Sequence, residues 1–378
     1  DRSSLLILSQ PGNCIMSMES TALFQPFNLG NITLKNRIVM APLTRNRAIP
    51  GSDAPQAINA IYYGQRADAG LIISEATQIS PTAKGYAWTP GIYSSEQVEG
   101  WKQVTNAVHA KGGAIFAQLW HVGRISHPSL QPNSQAPLAP SAIIPAGLKT
   151  FIENGTFSDI TTPRALRLDE IPGILLDYQQ AAKNAIEAGF DGIEIHAANG
   201  YLIQQFLSDG SNQRTDAYGG SIENRMRFAL EVVDAVVSVV GGHRTGIRLS
   251  PVSPAYGAVD SDPTKLYFPL IRALNRFQLA YVHVIEGATG GERAFNGFDF
   301  RAFRQEFDGA WMVNNGYDLN MATDAIHSGY ADLVAFGRPF IANPDLVERL
   351  KCNAALNKLD PTTLYGGGEK GYIDYPLM

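Results

Sequence analysis

The 378-residue sequence predicts an α/β protein, a (β/α)8 TIM barrel in a single domain, and three observations carry that prediction. From residue 37 onward, eight short apolar runs alternate with eight segments of helical period, the pattern of repeated βα units around a parallel sheet. The runs are apolar almost throughout, as strands buried on both faces are. No linker interrupts the series, and an open doubly wound sheet seldom reaches eight units without a boundary.

The expected strands are 37–41, 70–75, 114–119, 189–196, 245–250, 280–285, 311–315 and 331–336. The expected helices are 55–69, 95–111, 169–188, 221–240, 262–277, 298–307, 318–328 and 344–357. Ser94, Asp169 and Ser221 stand where a side-chain oxygen caps a helix N-terminus, and Pro263 suits a first turn. Gly112, Gly189 and Gly329 follow helices, where a left-handed residue ends the turn. The stretch 125–167 is rich in Pro, Ser, Gly and Asn and reads as a long loop on the C-terminal face of the barrel, either a cap over a site or a surface ornament.

Residues 1–20 are expected to form a tail outside the barrel of 21–378, disordered or not native, with Met16 and Met18 as candidate start points. The patch Leu5 to Leu8 behind Arg2 is shorter than the 7 to 15 apolar residues of a secretory signal.

A hydrophobic content of 45% with 17% charged residues is that of an ordinary globular chain. A net charge of −5 without Lys/Arg blocks argues against nucleic acid. The longest apolar runs, such as 232–240, fall far short of the ~20 residues that span a membrane. Two cysteines, Cys14 and Cys352, make no disulfide framework and no metal-ligand spacing, which points to a reducing, cytoplasmic setting.

Large polar residues fall at strand ends: Thr44-Arg45, Glu75, Gln118 with Trp120 and His121, His196, Arg248 and Arg338. Turn chemistry does not call for side chains of that size, whereas the C-terminal face of a barrel uses them for function. The run His196-Ala-Ala-Asn199-Gly200-Tyr201 brings an imidazole, a carboxamide and a phenol to one rim, able to grip an oxygen and deliver a proton. Asn315-Gly316 after the seventh strand and Gly337-Arg338 after the eighth stand where barrels bind phosphate. Arg248 adds a second fixed cation, and no Schiff-base, paired-carboxylate or His-x-His pattern accompanies it. A phosphorylated organic cofactor satisfies these features together.

The phrases APLTRNR from Ala41, ISEATQIS from Ile73, GYAWTPGIY from Gly85 and QLWHVGRISHP from Gln118 are long and specific. So are HAANGYLIQQFLSDGSNQRTDAYGGSIENRMRF from His196, AFGRPFIANPDL from Ala335 and YGGGEKGYIDYP from Tyr365. From about Leu23 to its end, the chain resembles the old yellow enzyme family of flavin-dependent ene-reductases.

That resemblance implies FMN, bound tightly without a covalent link, as cofactor and NADPH or NADH as reductant. It implies that Pro42, Leu43, Thr44, Ala76, Gln118 and Arg248 meet the flavin ring, and that Asn315, Gly316, Gly337 and Arg338 hold its phosphate. His196 and Asn199 would bind the oxygen of an activated alkene, and Tyr201 would protonate its α-carbon. Tyr86, Trp120 and Tyr365 would wall the substrate space, while His109, His121 and His127 have no catalytic role. Expected partners are activated alkenes conjugated to a carbonyl or nitro group, with nitro compounds or nitrate esters as side substrates, and the expected assembly is a monomer or small homo-oligomer. The competing class is a flavin-binding sensor or ligand-binding barrel without turnover, which would not need to keep a proton donor at Tyr201.

Overall fold

A computed structural model describes residues 20–295 and 297–378. The tail expected over 1–20, with Cys14, Met16 and Met18, lies outside the described residues apart from Ser20, which opens a 3-10 turn Ser20–Phe24.

Eight parallel strands close into a barrel: β1 Ile38–Met40, β2 Leu71–Ile73, β3 Ile115–Trp120, β4 Gly192–Ala197, β5 Thr245–Leu249, β6 Tyr281–Ile285, β7 Ala310–Asn314 and β8 Leu333–Phe336. Each pairs with the next, β8 with β1, and β3 with β4 through Gly192↔Phe116 to Ile195↔Leu119. All eight expected strands are present within three residues at either end. Their outer partners are α1 Ala57–Gln65, α2 Ser95–Ala110, α3 Ile171–Glu187, α4 Ile222–Val240, α5 Pro263–Leu274, α6 Phe300–Gln305, α7 Leu319–His327 and α8 Leu346–Lys351.

The amphipathic spacing of α4 shows why these helices lie where they do. Phe228, Ala229, Val232, Val233, Val236 and Val240 recur at three- and four-residue intervals and are all buried. A fully buried side chain of this size contributes roughly 1.5–3 kcal/mol. Ser94 and Ser221 accept from the backbone N–H of Gln97 and Asn224, as caps. Asp169 does not cap α3: the turn Leu168–Glu170 runs straight into the helix, and the Asp169 carboxylate is taken by Arg167 Nε at 3.1 Å.

Period-two alternation sends Val39, Leu71, Phe116, Tyr281, Met312 and Leu333 into the barrel, where they form one apolar layer. Two glycines make that layer possible. A Cβ on Gly192 would lie 2.4 Å from the ring of Phe116, and one on Gly246 would lie 2.2 Å from the ring of Tyr281. Below the layer, a hairpin of Phe27–Leu29 and Ile32–Leu34 closes the N-terminal end, its Leu29 and Leu34 packed against the same residues. Its turn at Gly30 has φ +55°, and a side chain there would strike the carbonyl oxygen of His243.

The long stretch 125–167 is not structureless. It carries an antiparallel hairpin, Lys149–Phe151 with Phe157–Asp159, and a parallel pair, Leu138–Ala139 with Arg164–Ala165. Its Ile160 and Leu148 pack against Trp120 and Tyr201, so the stretch forms part of the wall at the barrel mouth. No helix among the described residues is long and apolar enough to cross a membrane.

Candidate active site

Above the apolar layer, the same inward positions become polar. Gln118 on β3, Glu194 and His196 on β4, Arg248 on β5, His283 on β6 and Asn314 on β7 are all buried. Glu194 stands opposite Gln118 on one side and the bare Gly246 on the other. Its carboxylate accepts from Gln118 Nε2 at 2.9 Å, the Tyr281 hydroxyl at 2.7 Å and His283 Nδ1 at 3.0 Å. Burial alone would push this carboxyl up, but His283, Arg248 and the hydrogen bonds hold it below its ordinary range. Burial lowers the pKa of His283, against the pull of Glu194 in the other direction. Arg248 donates from one terminal nitrogen to Asn314 Oδ1 at 2.8 Å.

At the rim, His196 and Tyr201 converge on Trp120 and Tyr86. The rings of Tyr86, Trp120 and His196 are nearly parallel, with centroids 5.8 and 5.9 Å apart, and the ring of Tyr201 stands across all three at 78° to 87°. His196 Nδ1 accepts from the Ala198 N–H at 3.2 Å, so the ring proton sits on Nε2. Burial, then the charge of Arg248, holds its pKa well below the usual value, and the imidazole is a neutral donor.

Asn199 adopts φ +57°, a left-handed conformation that asparagine tolerates. Its N–H is held by Ser250 Oγ at 2.8 Å and its Oδ1 by Thr289 Oγ1 at 2.7 Å. With the carbonyl end engaged, the amide hydrogens are the end left to offer. The Tyr201 hydroxyl lies 2.8 Å from that of Tyr86, which in turn donates to Tyr256 at 2.8 Å. Burial first, and then Tyr256, push the Tyr201 phenol well above its ordinary pKa, while the hydrogen bond between Tyr201 and Tyr86 pulls the other way.

Across the mouth, Gly290, Gly316 and Gly337 line an open space. The nearest atom to a Cβ built on any of them is 3.5 Å away or more, and at Gly290 that atom is a terminal nitrogen of Arg338. Asn315, at φ 111°, ties this end together through Nδ2 bonds to the carbonyls of Glu286 and Ala288 at 2.7 and 2.9 Å. Backbone amides beside an exposed arginine suit a phosphate. The buried Arg248 Nε has no partner among the described residues, and a flavin edge with acceptor atoms would satisfy it. On both observations the residues fit FMN.

The polar residues at strand ends therefore sort into two groups. Gln118, Trp120, His196, Asn199, Tyr201, Tyr86 and Arg248 meet at the mouth, with Pro42, Leu43, Thr44 and Ala76 on the strand ends beside them. Tyr365 rides the C-terminal segment, 57% exposed, near enough to Tyr201 to raise its pKa, so it is a rim residue more than a packed wall. Arg45 instead clamps that segment, donating to the carbonyls of Leu364 and Gly371, and Glu75 bonds Tyr63 of α1 at 2.7 Å. His121 accepts from the Gly123 N–H, and His109 pairs with Asp191.

Sequence reasoning missed Tyr256, Glu194, Tyr281, His283, Ser250 and Thr289. A signal existed for two of them. Glu194 lies two residues before His196 in a strand, hence on the same face, and Tyr256 is a large aromatic in a turn after β5.

The sequence matches the NADH:flavin oxidoreductase / NADH oxidase family over residues 22–357. It is 48% identical to putative 12-oxophytodienoate reductase 11 of Oryza sativa subsp. japonica, across 96% of this chain and 99% of that one. It is 45% identical to 12-oxophytodienoate reductase 2 of Arabidopsis thaliana, across 95% and 96%. The fold superposes on morphinone reductase in complex with tetrahydroNAD with a TM-score of 0.90 and 53% identity, covering 94% of this chain and 98% of that one. It also superposes on the old yellow enzyme homologue from Zymomonas mobilis with a TM-score of 0.90 and 45% identity, covering 94% and 100%.

Proposed function

The chain belongs to the NADH:flavin oxidoreductase / NADH oxidase family, the old yellow enzymes, and from that premise we propose that this FMN-dependent oxidoreductase uses NADPH or NADH to reduce carbon–carbon double bonds conjugated to a carbonyl or nitro group. FMN, when bound, would supply the hydride-transfer chemistry between nicotinamide and the β-carbon of the alkene. The observation that carries the reading is the meeting of two kinds of donor at one mouth: the neutral His196 imidazole and the Tyr201 phenol, their ring centroids 5.1 Å apart, with Asn199 at the same strand end.

His196 Nε2–H and the Asn199 amide bind the carbonyl or nitro oxygen and stabilise the negative charge that develops there. Both donors are neutral, so their grip does not depend on titration near pH 7. Tyr201 gives its hydroxyl proton to the α-carbon. As that oxygen becomes anionic, the Tyr86 hydroxyl turns to donate to it. Trp120, Ile160 and Tyr86 exclude water from the transfer. Thr44, Ala76, Gln118 and Arg248 would contact the isoalloxazine ring, with Arg248 countering the charge of its reduced form, and Gly316, Gly337 and Arg338 would hold the phosphate. Nitro compounds and nitrate esters are side substrates on this reading. A cytoplasmic, single-domain monomer or small homo-oligomer belongs to the same reading.

The test is to purify the protein, read the spectrum of oxidised flavin, and follow NADPH oxidation with 2-cyclohexenone. A colourless protein that FMN does not reconstitute defeats the reading, and a yellow one that turns over no activated alkene leaves a ligand-binding barrel. Tyr201→Phe should leave flavin reduction by NADPH intact while slowing 2-cyclohexenone turnover at least tenfold.

A further inference from the structure

Directly beneath the mouth, the Glu194 carboxylate is the meeting point of three side chains from two other strands. Tyr281 and His283 belong to β6, two strands from β4, and they reach Glu194 only by crossing β5, where Gly246 has no side chain to stop the Tyr281 ring. Gln118 arrives from the opposite side. This costs the fold a buried charge and a glycine inside a strand, an arrangement that packing alone does not demand.

Two consequences follow for the mouth. A carboxylate is an acceptor only, so it holds the amide nitrogen of Gln118 and fixes which end of that amide carries the acceptor oxygen. The same charge opposes Arg248, the fixed cation of the site, through a medium from which water is excluded. His283 donates to the same carboxylate through Nδ1 and helps to fix its orientation.

We propose that Glu194 is a positioning residue that sets the electron affinity of the bound flavin, by offsetting the charge of Arg248 and fixing the amide of Gln118. The proposal rests on the flavin reading above and concerns residues that do not touch substrate.

The experiment is a redox titration of the FMN-loaded protein and its Glu194→Gln variant. Removing the buried negative charge should shift the two-electron equilibrium at least tenfold toward reduced flavin, a midpoint about 30 mV more positive. Tyr281→Phe keeps the charge but removes a hydrogen bond that disperses it, and should shift the equilibrium about threefold the other way. A loss of packing alone would not drive the two variants in opposite directions. An unchanged or more negative midpoint in Glu194→Gln overturns the proposal. If that variant does not retain FMN, an unchanged or raised midpoint in Tyr281→Phe overturns it. Failure of the unaltered protein to bind FMN defeats the flavin reading instead, so the two failures are distinct.

Discussion

Tyr86→Phe tests the proton-transfer half of the site with little change of shape. Phenylalanine keeps the ring that stacks on Trp120 at 5.8 Å and 12°, and loses only the hydroxyl 2.8 Å from that of Tyr201. At rest Tyr86 donates to Tyr256, so its oxygen accepts the Tyr201 proton. When Tyr201 has delivered that proton to carbon, its oxygen is an anion with 8% of the residue exposed, and Tyr86 is the neighbour able to donate to it. A hydrogen bond to a charged acceptor is worth about 1.5–3 kcal/mol, which converts to a loss of about 10- to 150-fold in the rate of proton delivery. The assay is anaerobic stopped flow: reduce the flavin, mix with 2-cyclohexenone, and follow reoxidation by absorbance. The reductive half with NADPH should be unchanged. Reoxidation at the wild-type rate would refute the reasoning, because the buried tyrosinate would then need no help from Tyr86.

Three other outcomes follow from the geometry. His196→Ala should weaken binding of a phenolate ligand about 10- to 100-fold in a difference-spectrum titration, through loss of the Nε2–H donor. Gly246→Ala should lower the urea midpoint, with a destabilisation of about 1–3 kcal/mol or more, since its Cβ would sit 2.2 Å from the Tyr281 ring. Burial depresses the His121 pKa to about 3, so the unfolded chain binds a proton below pH 6.5 that the folded protein refuses. The stability this group contributes is full above pH 6.5 and falls by about 1.4 kcal/mol per pH unit on acidification toward 3, and His121→Gln should remove that increment from urea titrations at pH 5 and 6.

The barrel was legible because its signal is repetitive. Eight apolar runs at βα spacing constrain one another, and the glycines expected after helices, Gly112, Gly189 and Gly329, do adopt positive φ. The hairpin that plugs the barrel floor escaped notice because strands of three residues carry too little alternation to register. Asp169 misled because a capping residue and a turn residue use the same chemistry, and only the run of the backbone through Leu168–Glu170 separates them. The motif His196 to Tyr201 was readable as a cluster because its members are neighbours in sequence. Glu194, Tyr256, Tyr281 and His283 were not, since their meeting depends on side chains that cross from one strand or loop to another.

The residues of the site divide between two parts of the protein, and that separation has a kinetic meaning. Gln118, Glu194, Arg248 and His283 are held by strands whose register is fixed by the closed sheet, beneath the mouth. Tyr86, Asn199, Tyr201 and Tyr256 stand on loops and strand ends above it, with Tyr256 at φ 50° in a turn whose carbonyl is held by the buried Arg124 at 3.1 Å. A change in the strand-borne set alters a charge balance that both half-reactions share, so it should move flavin reduction and alkene reduction together and in opposite senses. A change in the loop-borne tyrosines touches proton delivery alone and should slow alkene reduction while leaving reduction by nicotinamide as it was. Glu194→Gln and Tyr86→Phe therefore belong in the same stopped-flow series. If Glu194→Gln, like Tyr86→Phe, left flavin reduction by nicotinamide at the wild-type rate, the division between an electron-tuning floor and a proton-delivering rim would be wrong, whatever the size of the effect on alkene reduction.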